Sequence, residues 1–180
     1  MVGLAAMFGA ELVLPLRRAI AAGVDPVAMK GVEFFSPDTR ADVVALAETI
    51  IPTTDTPGAR DAGVGDFIEF MLHEFYPESD RDRFLTGMQA LASHCKGEFG
   101  RAFAALGADD QAAVTSLLAE GKAAGFDDGG RGLFEHAKQL TIFGYYTSET
   151  GMTVERHYLP WPGRFDGAYP YEKVGTLFTP

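Results

Sequence analysis

The chain has 180 residues, 47% of them hydrophobic, with fourteen Phe, six Tyr and one Trp; that is enough for one domain with its own core and too aromatic for a disordered chain. A net charge of −10, with no dense basic run to offset it, argues against a phosphate-backbone partner. A single cysteine, Cys95, excludes an intrachain disulfide and a cysteine-based zinc cluster.

Residues 1–33 form an apolar N-terminal segment. Met1 to Leu16 is apolar except for Glu11, yet shorter than the ~20 residues of a standard membrane span. Arg17-Arg18 follows the apolar run, whereas a twin-arginine export signal carries its pair before it. Two readings stand: a helix that packs on the body or on a partner, or the remnant of an export signal whose start lies upstream.

Residues 34–156 read as a helical body. Ser36-Pro37-Asp38 opens the first helix, with Ser36 as cap and Pro37 at the first helical position. Val43, Leu46, Ala47, Ile50 and Ile51 recur at helical spacing until Pro52 stops it. The stretch from Pro52 to Ala59 is a turn-rich loop. Val64, Phe67, Ile68, Met71, Leu72 and Phe75 then make one amphipathic stripe, ended by Pro77. Ser79 or Asp80 is positioned to cap a third helix with Phe84, Met88, Leu91, Cys95 and Phe99 inward, its far end weakened by Gly97 and Gly100. Cys95 thus reads as a small core residue. A fourth helix spans Asp109 to Glu120, carries Val114, Leu117 and Leu118, and stops at Gly121. Gly125 to Gly132 reads as a polar, flexible link. A fifth helix, marked by Leu133, Phe134, Ala137, Leu140 and Thr141, runs into a Gly144-Tyr145-Tyr146 turn. No strand alternation is visible, so the fold class is all-α, a single domain of five to six helices.

Residues 157–180 differ. Four prolines and three glycines are interleaved with Tyr158, Trp161, Phe165, Tyr169, Tyr171 and Phe178. Such a segment breaks helices but is too aromatic to be a solvated tail. It reads as an extended arm laid on a surface, its own or a partner's.

Catalytic chemistry is hard to find. No two of His73, His94, His136 and His157 are three or four residues apart, the spacing that joins ligands on one helix face. There is no Gly-x-Gly-x-x-Gly or phosphate-loop motif, no Gly-x-Ser-x-Gly elbow and no Cys-x-x-Cys-His haem attachment. Asp55, Asp61 and Asp66 flank a turn, and Asp127-Asp128-Gly129-Gly130 is acidic, but neither has the register of a calcium loop. Accordingly no catalytic, cofactor-binding or metal-ligating residue is assigned to this chain. Distant carboxylates can still meet as acid and base, which leaves a stand-alone enzyme or sugar-binding module as the alternative. The aromatic content favours binding instead. Tyr145, Tyr146, Tyr158, Trp161, Arg164 and Phe165 are the candidate partner-interface residues, because Tyr, Trp and Arg most often anchor interfaces. Packing within the monomer is the competing reading.

Three stretches together resemble the gluconate 2-dehydrogenase subunit 3 family. They are Ile50-Ile51-Pro52-Thr53-Thr54-Asp55-Thr56-Pro57-Gly58-Ala59 continuing to Phe67-Ile68; Leu140-Thr141-Ile142-Phe143-Gly144-Tyr145-Tyr146-Thr147-Ser148-Glu149 with Gly151; and Tyr158-Leu159-Pro160-Trp161-Pro162-Gly163-Arg164-Phe165-Asp166-Gly167. The likeness runs from about Phe34 to Phe178. It implies a helical, non-catalytic accessory subunit. Its partner would be a large subunit of the glucose–methanol–choline oxidoreductase type that holds FAD and oxidises a sugar, with haem in a cytochrome as a further partner in many such complexes. It also implies a role in folding or export of the large subunit, and a periplasmic location. Two departures matter. The signal arginines do not precede the apolar N-terminus, which puts the export role in doubt and keeps a cytoplasmic location as the alternative; membrane contact is expected to be indirect or through that segment. Ala168 stands where members of the family often carry a cysteine in the arm.

Overall fold

The computed structural model describes Arg18, residues 33–158, Pro170, Glu172 and residues 178–179. The fold is all-α. Helix α1 (Pro37–Ile50) begins as its sequence predicts: the Ser36 hydroxyl accepts from the Thr39 N–H at 3.2 Å, and Pro37 fills the first turn. Helices α2 (Val64–Glu74) and α3 (Glu78–Phe99) follow. A 3-10 turn at Phe103–Ala105 leads to α4 (Ala108–Glu120), which ends on left-handed Gly121. Helix α5 (Arg131–Thr147) is succeeded by a π-helical turn, Gly151–Glu155. Two short strands, β1 (His157–Tyr158) and β2 (Phe178–Thr179), pair in parallel, His157 opposite Phe178 and Tyr158 opposite Thr179.

Among the described residues, α1 and α5 pack against each other and each against α2, α3 and α4, forming the spine. Leu46 of α1, Ile68 and Met71 of α2, Leu91 of α3, Leu118 of α4 and Leu140 of α5 are each at most 1% exposed. Burial of one such side chain stabilises the fold by about 1.5–3 kcal/mol. Cys95 belongs to this core. Burial, reinforced by the charge of Asp42, pushes its thiol up to about 11, so it packs and does not react.

Several local expectations are corrected. The cap of α3 is Pro77, in extended conformation, rather than Ser79 or Asp80; the helix starts at Glu78 because Pro77 already sets the chain direction. Phe99 and Leu117 are each 38% exposed. Phe99 is the last residue of α3, past the point where Cys95 closes the core, and Leu117 falls beside the narrow inward stripe of Val114, Thr115 and Leu118. Gly125 to Gly132 is not a loose link. The Asp128 carboxylate accepts from the Gly130 N–H at 2.9 Å and the Gly132 N–H at 2.7 Å, and Ala123 N–H donates to the Gly129 carbonyl at 2.9 Å. Asp128 thereby serves the free N–H groups at the start of α5, where a negative charge is favoured. Finally, Gly144, Tyr145 and Tyr146 are not a turn but lie in the last turns of α5. Gly144 permits close approach: a Cβ there would lie 2.6 Å from Phe67 Cδ1 on α2.

One polar cluster is buried in the same body. Glu69 on α2 is 1% exposed, and its Oε1 accepts from the N–H groups of both Phe34 and Phe35 at 2.7 Å. Its Oε2 pairs with Arg40 of α1, which also pairs with Asp66. This carboxylate fixes the start of α1 on α2 and leads the chain into the core at Phe35. Removing it leaves the Phe34 and Phe35 N–H groups without their acceptor, while Arg40 keeps Asp66. Glu69→Ala should therefore cost about 3 kcal/mol of stability in urea unfolding, and Glu69→Gln, which keeps one acceptor, clearly less. A loss under about 1 kcal/mol for the alanine variant would contradict this role.

Candidate partner-binding surface

The loop from Pro52 to Ala59 contains two prolines, which cannot donate, and three threonines, which can. It is held from both sides. From α1, Glu48 Oε1 accepts from the N–H of Thr53 at 2.9 Å and from its hydroxyl at 2.8 Å, while Oε2 accepts from the Arg60 N–H at 2.8 Å. The Thr53 hydroxyl accepts from the Gly58 N–H at 3.0 Å, and Ala59 N–H donates to the Ile51 carbonyl at 2.9 Å. Gly58 is needed here because a Cβ would come within 2.5 Å of a Glu48 carboxylate oxygen. From the far end of the chain, the Tyr145 hydroxyl donates to the Pro57 carbonyl at 2.8 Å, and the Thr56 hydroxyl donates to the Glu155 carboxylate at 2.7 Å. Two stretches nearly ninety residues apart in sequence thus become one rigid surface.

The candidate interface residues separate. Tyr145 is 1% exposed and lies in the chain's own core. Burial holds its phenol above the ordinary tyrosine range, and the charge of Glu155 adds to this against a hydrogen bond from Thr56. It remains a neutral donor, and it acts on the surface only through the loop that it fastens. Tyr146 is half-buried at the edge, its ring edge-on to Tyr145 at 5.2 Å and under the Arg156 guanidinium at 4.3 Å. Tyr158 is described as backbone in β1. Trp161, Arg164 and Phe165 lie outside the described residues.

Beside Tyr146 an open groove of about 480 Å³ runs between α1, α4 and α5, lined by Ile50, Ile51, Ala119, Phe134 and Ile142. The sequence stripe places Ile50, Ile51 and Phe134 inward, yet all are only half-buried, because they line this open groove. Glu48 is missed by sequence reasoning as well. Its signal is a carboxylate in the last turn of a helix, five residues before a threonine that follows a proline.

The most deeply buried ionisable groups lie away from the groove. Asp42 is buried and accepts from the Ala104 N–H at 2.8 Å; burial raises its carboxyl above the usual range, with that bond opposing and Asp38 assisting. Neither Asp42, Glu69 nor Cys95 lines the groove. His73 contacts Glu74 at 2.7 Å, His94 the Ala124 carbonyl at 3.1 Å, and His136 sits against Tyr76 and Phe84. Among the described residues no three His, Cys, Asp or Glu side chains are grouped to hold a metal ion, and no helix is long and apolar enough to cross a membrane.

A family model described as gluconate 2-dehydrogenase subunit 3 matches residues 37–163, most of the chain. The chain belongs to the gluconate 2-dehydrogenase subunit 3 family. The match starts with the first residue of α1, spans every helix described above, and ends within the third resembling stretch. Membership in the subunit 3 family makes the chain a subunit of a multi-subunit dehydrogenase complex. Comparison with curated proteins finds no match, and comparison with solved structures finds none either.

Glu48 makes the surface pH-dependent. Burial alone would raise its carboxyl, but hydrogen bonds from Arg60 and Thr53 and the Arg60 charge outweigh it and hold the group below its ordinary value of 4.5. A folded-state value below the unfolded one gives stability that is fully present above pH 4.5 and lost as pH falls through the lower value. Glu48→Gln should flatten the acid limb of a thermal-melting profile in that window. An unchanged acid limb would show that the clamp contributes nothing.

Proposed function

We propose that this chain is the non-catalytic small subunit of an FAD-dependent sugar or sugar-acid dehydrogenase complex of the gluconate 2-dehydrogenase type. Its task is to bind and stabilise the large, FAD-containing catalytic subunit, of the glucose–methanol–choline oxidoreductase type, and to assist its folding or export. The complex is placed at the periplasm or its membrane, with electrons passing on to a haem-bearing cytochrome subunit. The observation that carries this reading is the family match across residues 37–163. The physical arrangement supports it: a preformed loop and an apolar groove beside it suit binding.

Binding only the folded form of a partner shifts that partner's folding equilibrium, by about 2.7 kcal/mol when the binder stands at a hundred times its Kd. Stabilisation therefore needs no chemistry from this chain, and FAD, the hydride acceptor, belongs to the partner.

Co-expression tests the reading. The large subunit should accumulate as soluble, yellow, sugar-oxidising protein with this chain and lose at least tenfold in yield without it. Equal yield, FAD content and activity without it would sink the proposal, as would sugar binding or turnover by this chain alone in calorimetric titration.

A further inference from the structure

Helix α2 buries a phenylalanine on the side away from the core. Ile68, Met71 and Leu72 belong to the core that α2 shares with α1 and α5. Phe70 stands two residues from both Ile68 and Leu72, about 200° round the helix and so on its outward side. Asp66 and His73 share that side, and they are 39% and 45% exposed. Phe70, by contrast, is 7% exposed, although it is not part of the core cluster. Among the described residues its ring contact is Phe75, edge-on at 5.5 Å.

Two contacts on α2 identify the cover. The Arg18 guanidinium donates to the Phe75 carbonyl at 3.4 Å. This is the C-terminal end of α2, where carbonyls lack helical partners and a cation is favoured. Arg81 of α3 serves the His73 carbonyl beside it at 3.2 Å. Further along the chain, Glu69 holds the N–H groups of Phe34 and Phe35, and the Phe34 ring lies 5.7 Å from that of His73. The N-terminal segment is therefore tied to α2 twice, at Phe75 through residue 18 and at Glu69 through residue 34, and Phe70 lies between these two points. The apolar run of residues 1–16 ends immediately before Arg17-Arg18, so it begins its course at the helix end that carries Phe75. We propose that residues 1–16 fold back on the chain's own α2 and seat apolar side chains on Phe70 and Phe75. Taking both faces out of water supplies the driving force, and Arg18 fixes the position. This contact is intramolecular and stands apart from the subunit reading.

Photo-crosslinking in the purified full chain tests it. Benzoylphenylalanine in place of Phe75 should give, on irradiation, a monomeric product whose crosslinked tryptic peptide comes from residues 1–17. Absence of that peptide, a product joining two chains, or its replacement by a lipid adduct when phosphatidylglycerol vesicles are added would overturn the proposal. A second measurement leaves α2 itself unaltered. Replacing Leu12, Leu14 and Leu16 together by Asp should speed amide exchange at Phe70 and Phe75 at least tenfold, with Leu91 of α3 unchanged. Wild-type exchange at Phe70 and Phe75 in that variant would overturn the proposal as well.

Discussion

The rest of the molecule depends on the packing of α1 against α5. These two helices each touch α2, α3 and α4, and Leu46 and Leu140 on them are among the most deeply buried side chains. Apolar burial supplies the driving force but no register, since it is non-directional. Register comes from shape and from a few buried polar groups. Gly144 lets α5 lie closely on the Phe67 ring, and Glu69 locks the start of α1 to α2 through Arg40 and two backbone donors. With both ends of α1 fixed, Ile50 and Ile51 can stay half-exposed without loosening the core.

Two carboxylates do comparable work at the two ends of α1. Glu69 gathers the chain entering the helix, and Glu48 gathers the loop leaving it. Each satisfies backbone N–H groups that would otherwise be orphaned in irregular structure. Tyr145 then carries the order outward from α5 to Pro57. The surface beside Tyr146 is therefore rigid before any partner arrives. A rigid surface has little ordering entropy to lose on binding, which is an advantage for an accessory subunit.

Much of this was legible from local pattern. The Ser36-Pro37 start, the stripe of α2 and the stop at Gly121 follow from rules acting over a few residues. What was hidden depends on distant partners. Gly125 to Gly132 has the composition of a flexible link, and only the reach of Asp128 to Gly130 and Gly132 orders it. Tyr145 has the composition of an interface anchor, but its hydroxyl finds Pro57 across the fold and draws the ring inward. Ile50 and Ile51 continue a buried stripe by periodicity, yet they stand half-buried on the wall of the groove between α1, α4 and α5. Periodicity reports which side of a helix is apolar; it does not report what covers that side.

This surface is built in the isolated chain, before any partner binds. Amide hydrogen exchange measures that most directly. Thr53, Gly58, Ala59 and Arg60, each donating to Glu48, Thr53 or Ile51, should exchange slowly in the free chain, close to the last turn of α1. Exchange of these four amides at the rate of an unstructured peptide would contradict the account.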